Sequence, residues 1–167
     1  MQDRMASHAL RQYPAASELP RWIGTGAIAG AVSVLVFQQG ALALLYAFGL
    51  TGRAPYSLAW APSWNIASLW PFVFWGAVWG ALLAATLARL DGARLVLAAL
   101  AFGAVLPTLM AFVLVAPLKG QPTVTGVIPL AVLAAALVNG AWGLGTGLGL
   151  AIFGRPRAQS NSTSTTS

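Results

Sequence analysis

Four polar side chains inside long apolar runs are the residues of this sequence that could form buried hydrogen bonds or bind a neutral ligand. Gln38 and Gln39 stand in LVFQQGALALL (residues 35–45), and Thr108 and Asn139 interrupt two later runs. Amide and hydroxyl groups donate and accept hydrogen bonds without exchanging protons near neutral pH. These side chains can therefore hold one another or a neutral polar ligand, but they cannot act as acid–base catalysts.

The hydrogen-bond partners of these four side chains decide whether they form a structural clamp or a ligand site. Successive helical residues are about 100° apart, so Gln38 and Gln39 point to different sides of their helix. Gln38, Thr108 and Asn139 each stand near the middle of an apolar run, and Trp79 stands at similar depth with one indole N–H to donate. A buried amide without a partner is costly. We therefore expect these groups to meet, either as a structural clamp or as a midplane site for a quinone, lipid, pigment or small solute.

Catalytic and metal-binding side chains lie outside the apolar runs. The acidic residues are Asp3, Glu18 and Asp91, the single histidine is His8, and there is no cysteine. Proton-coupled transporters and pumps keep an ionisable residue at depth, and haem or metal sites need ligands that the runs do not provide. The sequence predicts a protein that is not an enzyme and has no cofactor and no metal site.

The apolar runs themselves predict the fold. The chain of 167 residues is 58% hydrophobic and only 7% charged, whereas soluble domains carry about 25% charged residues. Each run is near the ~20 residues that cross a bilayer. We therefore expect an all-α integral membrane four-helix bundle of two helical hairpins over residues 21–153, between a polar tail (1–20) and a disordered tail (154–167). The predicted spans are about 22–50, 71–88, 95–118 and 127–153.

The distribution of Lys and Arg predicts the orientation. Basic residues are enriched in short cytoplasmic loops, and seven of the nine lie at one end of the spans, against Arg53 and Lys119 at the other. Both termini are predicted on the cytoplasmic side of an inner membrane, in a multi-pass protein. Topology and contact with membrane lipids explain the net charge of +6, and no basic stripe with interleaved aromatic residues indicates nucleic-acid binding. The seven residues are Arg4, Arg11, Arg21, Arg89, Arg94, Arg155 and Arg157.

Glycines in the spans predict where helices pack. Lipid gives no hydrophobic drive between helices, so small residues that let two backbones approach are favoured at contacts. Because the small faces point in several directions, we expect a further membrane subunit or a second copy of the chain as a partner, with Gly143 and Gly147 facing it. The glycines expected at helix contacts are Gly26, Gly30, Gly76, Gly80, Gly143 and Gly147.

Tryptophans mark the connection between the first two spans. Trp60, Trp64 and Trp70 are typical of the headgroup region, and this connection is predicted to lie along the membrane surface. Trp75 and Trp79 are four residues apart and share a helix face. Such a face is either an aromatic groove for an isoprenoid tail or pigment, or a surface for anchoring and packing.

Short strings recur along the chain. GAV occurs at residues 30–32 and again at 103–105, and GAVWG (76–80) is similar to GAWG (140–143). Duplication of one helical hairpin would produce this recurrence, and so would chance in a sequence rich in Ala, Gly and Val.

The pattern FQQGALALL … PFVFWGAVWG … FGAVLPTLMAFVLVAPLKG … LVNGAWGLGTGL resembles small bacterial inner-membrane proteins of about four spans. The resemblance covers residues 22–153 and implies no activity. The leading hypothesis is a non-catalytic accessory or structural subunit of a larger inner-membrane complex. The alternative is a binder or transporter of a lipophilic or small neutral ligand at the midplane polar residues.

Overall fold

The computed structural model describes residues 17–61, 66–118, 120 and 129–154. Most of the polar tail, Trp64, Lys119 and the tail beyond Gly154 lie outside these described residues.

Four helices are long and apolar enough to cross a membrane, and they make the chain a multi-pass membrane protein of the all-α class. Their bounds are Leu19–Ala47, Leu69–Thr86, Gly92–Leu118 and Pro129–Phe153. Each overlaps one predicted span, with ends within three residues of the prediction.

Two of the four helices contain a wider, π-helical turn. The first consists of α1 (Leu19–Ser33), the π-helical stretch Val34–Gln38 and α2 (Gln39–Ala47). The second and fourth are α3 (Leu69–Thr86) and α6 (Pro129–Phe153), and the third consists of α4 (Gly92–Met110), the π-helical stretch Ala111–Val115 and α5 (Ala116–Leu118). The described part also contains two short strands, β1 (Trp60–Ala61) and β2 (Ile66–Ala67), which form an antiparallel pair between α2 and α3.

Local sequence explains where several of these elements end or bend. Gly49 follows α2 and Gly92 begins α4, each with a positive φ that glycine adopts without strain. Pro107 lies inside α4 and lacks the N–H that would continue the helical ladder. The π-helical stretch Ala111–Val115 begins one turn after this proline.

The helices contact one another in the order α3, α1, α6, α4. α1 packs along α3, α4 packs along α6, and α6 also packs against α1. Contact between α3 and α4 is narrow, and there the Trp79 and Phe102 rings meet edge to face with centroids 6.0 Å apart. The buried core runs through the same contacts and includes Trp22, Leu83, Leu95, Ala99 and Leu150.

Glycine backbones touch at the contact between α1 and α3. A Cβ added to Gly26 would strike Gly80 and Ala84, and one added to Gly30 would strike Gly76 and lie 2.9 Å from the Gly80 Cα. The two helices are therefore antiparallel and too close for any larger side chain at these positions. The predicted packing glycines Gly26, Gly30, Gly76 and Gly80 all lie in this one contact.

The contact between α4 and α6 repeats this geometry. A Cβ on Gly103 would strike the Asn139 carbonyl and lie 2.9 Å from the Gly143 Cα, and a Cβ on Gly143 would strike the Ala99 carbonyl. Gly103 and Gly143 thus take the places that Gly30 and Gly80 take in the first contact. The two GAV strings accordingly occupy equivalent positions in the two helix pairs.

The connection between α2 and α3 folds back beside α2, and its predicted position along the membrane surface stays a prediction. The Tyr56 hydroxyl donates to the Leu35 carbonyl at 2.9 Å, and the Tyr56 N–H donates to Gln39 Oε1 at 2.7 Å. Gln39 lies about 12 Å and Leu35 about 18 Å along the axis before Ala47, the last residue of α2. The antiparallel contact of Gly30 with Gly76 and Gly80 places the first residue of α3 at about the level of Gln39. The connection folds into the space that this leaves beside the rest of α2.

Candidate functional site

Three of the four predicted polar residues form one hydrogen-bonded chain across three helices. Gln38 Nε2 donates to Asn139 Oδ1 at 3.1 Å, and Asn139 Nδ2 donates to Thr108 Oγ1 at 2.9 Å. We call Gln38, Asn139 and Thr108 the amide chain. Asn139 on α6 is its centre, because one amide group both accepts and donates and so joins the first and third spanning helices.

A π-helical turn contains one end of the amide chain, and a proline precedes the other end. Gln38 is the last residue of the first π-helical stretch, where the wider turn changes the side on which the following residues project. Thr108 follows Pro107 and is only 5% exposed. Asn139 lies one turn before Gly143, where close approach of the α4 and α6 backbones brings Thr108 within reach.

One atom of the amide chain has no hydrogen-bond partner. Gln38 Oε1 is buried and accepts no hydrogen bond, and it is the one such side-chain atom in the described part of the chain. An amide oxygen has two acceptor lone pairs, and leaving it unpaired in an apolar interior is costly. This oxygen could therefore accept a hydrogen bond from a group that donates, such as a hydroxyl.

Trp79, which the sequence placed near these polar groups, is not part of the amide chain. Its ring meets Phe102, which lies about 9 Å along α4 before Thr108. Trp142 supplies the interhelical indole bond instead: its Nε1 donates to the Gly30 carbonyl at 2.9 Å. The similarity of GAWG to GAVWG could have pointed to Trp142, because it is the counterpart of Trp79 in that string.

Ser33 and Trp142 form a second polar contact that the sequence analysis did not assign. The Ser33 hydroxyl donates to the Trp142 carbonyl at 2.6 Å, and Thr146 Oγ1 donates to the same carbonyl at 2.9 Å. All three residues are buried. Together with the Trp142 indole, these bonds fix α6 against α1 one to two turns from the amide chain.

Gln39 faces a different site, in agreement with the expected divergence from Gln38. It is 5% exposed, and its Oε1 holds the N–H of Tyr56. Tyr56 has φ +50°, a left-handed conformation that is uncommon for a residue other than glycine. Two hydrogen bonds at Tyr56, one from its backbone and one from its hydroxyl, hold this conformation.

Beside Gln39 is a cavity of about 260 Å³, which we call the loop pocket. Its wall comes from α2, from the connection that follows it, and from the first turn of α3. The lining residues are Gln39, Leu42, Arg53, Ala54, Ser57, Ser68, Leu69 and Phe72.

Arg53 gives the loop pocket its charge. Its guanidinium carbon lies 4.3 Å from the centroid of the Phe72 ring, a cation–π contact. The side chain as a whole keeps exposed surface, but the protein atoms around the guanidinium remove water from it and lower the pKa of Arg53 by desolvation. An arginine with a lowered pKa is still a cation at neutral pH.

The predicted tryptophans do not share one groove. Trp60, Trp70 and Trp75 are each about half exposed or more, and the Trp75 ring contacts Phe74 of its own helix with centroids 5.5 Å apart. Trp79 instead packs against α4. Trp64 lies outside the described residues.

Gly143 and Gly147, which the sequence placed toward a partner, face α4 of the same chain. A Cβ on Gly147 would lie 2.7 Å from the Ala99 Cβ and 3.1 Å from the Val96 Cα. Substitution of either glycine would therefore disturb this internal contact.

Comparison with known proteins gives no further assignment. No protein-family model, no curated protein and no solved structure matches the chain.

Proposed function

We propose that this chain is a non-catalytic structural or accessory subunit of a larger inner-membrane complex. In this proposal its four spans form a bundle of two helical hairpins with both termini in the cytoplasm. The polar groups at depth act as a clamp that fixes helix register, and the outer faces bind membrane lipids and a partner subunit.

The observation that carries the proposal is a stripe of glycine and β-branched residues on the outer side of the first spanning helix. Gly24, Ile28, Val32 and Val36 follow one another at intervals of four and are all exposed. Apart from its chain neighbours and the backbone of its own helix turn, no described atom lies within 4 Å of the place where a Cβ on Gly24 would stand. Glycine in a helix costs about 1 kcal/mol relative to alanine, so a glycine without an internal contact favours close approach by another helix.

Native mass spectrometry of the gently extracted protein tests this proposal. We expect the wild type to carry a partner chain at fixed stoichiometry and Gly24→Leu to lose it. Ala101→Leu is the matched control, because Ala101 is also a small exposed residue but lies on α4. A wild type that is strictly monomeric, or a partner retained equally by both variants, would contradict the assignment.

The unpaired Gln38 Oε1 supports a second candidate function, the binding of a small neutral ligand at the amide chain. Because this oxygen only accepts, the matching ligand group is a donor, such as the hydroxyl of a quinol or of a lipid. A quinone carbonyl, which also only accepts, does not match this atom.

Ligand retention distinguishes the second candidate from a plain clamp. We expect a discrete small-molecule mass on the extracted wild type and its loss in Gln38→Leu. Thr25→Val is the control, because within the described residues the Thr25 hydroxyl bonds to the Arg21 carbonyl of its own helix, at 2.9 Å, and to no other helix. The same mass on Gln38→Leu would exclude the site, and no mass on the wild type would leave the clamp alone.

A further inference from the structure

We propose that the loop pocket binds the phosphodiester group of an anionic phospholipid, with the Arg53 guanidinium as its main ligand. The pocket lining includes no residue of the amide chain and none of the outer stripe of the first spanning helix, so the proposal does not depend on either function proposed above.

The first argument is the uncompensated charge of Arg53. Within the described ranges the acidic residues are Glu18 and Asp91, which precede α1 and α4 and so lie at the opposite ends of the spanning helices. No ion pair of Arg53 occurs in this part of the chain, and its guanidinium instead lies over Phe72. A guanidinium partly removed from water and without a carboxylate favours an anion, and its planar fork fits two phosphate oxygens.

The second argument is that further donors face the same cavity. Gln39 is more than nine-tenths buried and lines the pocket. Its Oε1 is occupied by Tyr56, whereas no described group accepts a hydrogen bond from its Nε2. The Ser57 hydroxyl oxygen accepts from the Ala59 N–H at 3.4 Å, which leaves the hydroxyl proton to donate.

The start of α3 adds to this positive potential. No described side chain caps the helix: the Ser68 hydroxyl donates to the Ser57 carbonyl at 2.9 Å and accepts no hydrogen bond from the first turn. The uncapped N–H groups and the helix dipole favour negative charge at this end. Ser68 and Leu69 line the pocket there.

The third argument, from size and position, selects a lipid over a free anion. A cavity of about 260 Å³ is slightly smaller than the roughly 300–1,000 Å³ of drug-sized ligand sites, so it holds a headgroup but not acyl chains. Leu42, Leu69 and Phe72 form its apolar side and belong to spanning helices. A phosphodiester in the pocket would therefore have its acyl chains beside these helices, in the bilayer.

Lipid retention by native mass spectrometry tests the proposal. Delipidated wild type, Arg53→Gln and Arg94→Gln are each mixed with phosphatidylglycerol, with phosphatidylethanolamine, or with inorganic phosphate. Arg94→Gln removes the same charge at the opposite end of the spans. We expect the wild type and Arg94→Gln to retain one phosphatidylglycerol. We expect Arg53→Gln to need at least about ten times as much lipid for the same occupancy.

Three results would overturn the proposal. Equal phosphatidylglycerol occupancy of Arg53→Gln and wild type would remove Arg53 from the site. Equal occupancy by phosphatidylethanolamine would remove the preference for an anionic lipid, and retention of inorganic phosphate without retention of lipid would make the ligand a free anion. If Arg53→Gln does not fold, Arg53→Lys replaces it: the charge remains but the fork is lost, and weaker retention by this variant supports the proposal while unchanged retention opposes it.

Discussion

Replacing Gly103 by alanine places one methyl group where two helix backbones touch. The new Cβ would strike the Asn139 carbonyl and lie 2.9 Å from the Gly143 Cα and 3.0 Å from the Gly143 nitrogen. All three neighbours are backbone atoms, so no side chain can rotate away. α4 and α6 must therefore move apart, and the Asn139–Thr108 hydrogen bond of 2.9 Å must lengthen with them.

The magnitude follows from two costs and one opposing gain. Overpacking a tight contact costs about 1–3 kcal/mol, and an interhelical hydrogen bond in a membrane protein contributes about 0.6 kcal/mol. Alanine returns up to about 1 kcal/mol because it is the better helix former. We expect Gly103→Ala to lower the free energy of unfolding by about 1–3 kcal/mol.

Gly40→Ala is the matched control. Apart from its chain neighbours and the backbone of its own helix turn, no described atom lies within 4 Å of the place where its Cβ would stand, so in the isolated chain only the gain in helix propensity applies. We expect this variant to be as stable as the wild type or up to about 1 kcal/mol more stable.

Reversible unfolding of the detergent-solubilised protein, followed by circular dichroism, gives the comparison. Opposite signs for the two variants would support the packing of α4 against α6. Gly103→Ala with wild-type stability would refute it, since a methyl group cannot fit between backbones at the distances that this contact has.

Two further predictions concern the interhelical indole bond and the orientation. Trp142→Phe keeps the aromatic ring but loses the N–H that donates to the Gly30 carbonyl, so we expect a loss of about 1 kcal/mol in the same unfolding assay; an unchanged free energy would show that this bond contributes nothing net. Because the chain has no cysteine, single cysteines can report orientation: in intact cells an impermeant maleimide should label Gly52→Cys and leave Ser17→Cys and Ser167→Cys unlabelled until the membrane is opened. The reverse pattern would invert the predicted topology.

Much of the membrane architecture follows from local sequence. Hydropathy and length are properties of one segment, so the four spans could be placed to within three residues before any contact was known. The glycines at 26, 30, 76 and 80 were recognised by spacing alone, because small residues four apart always share a helix face. The divergence of Gln38 from Gln39 follows from the helical repeat in the same way.

What each face meets was decided only by the tertiary structure. Spacing marked Gly143 and Gly147 as contact residues but could not say that α4 of the same chain covers them, and it gave Gly103 no weight because a single glycine carries no periodicity. Trp142 rather than Trp79 donates the buried indole bond for a similar reason: the two occupy equivalent positions, and only the helix order α3, α1, α6, α4 distinguishes them.

The loop pocket shows the same limit most clearly. In the sequence, Arg53 is one of two basic residues at the end of the spans opposite the basic cluster. Gln39 is one of two adjacent amides. They line one cavity because the first turn of α3 lies beside Gln39 and not beside the end of α2. The connection folds into the space that this leaves, where Tyr56 bonds to Gln39 and Leu35. A local pattern fixes the faces of each helix, whereas the relative heights and neighbours of the helices come from packing between segments far apart in the chain.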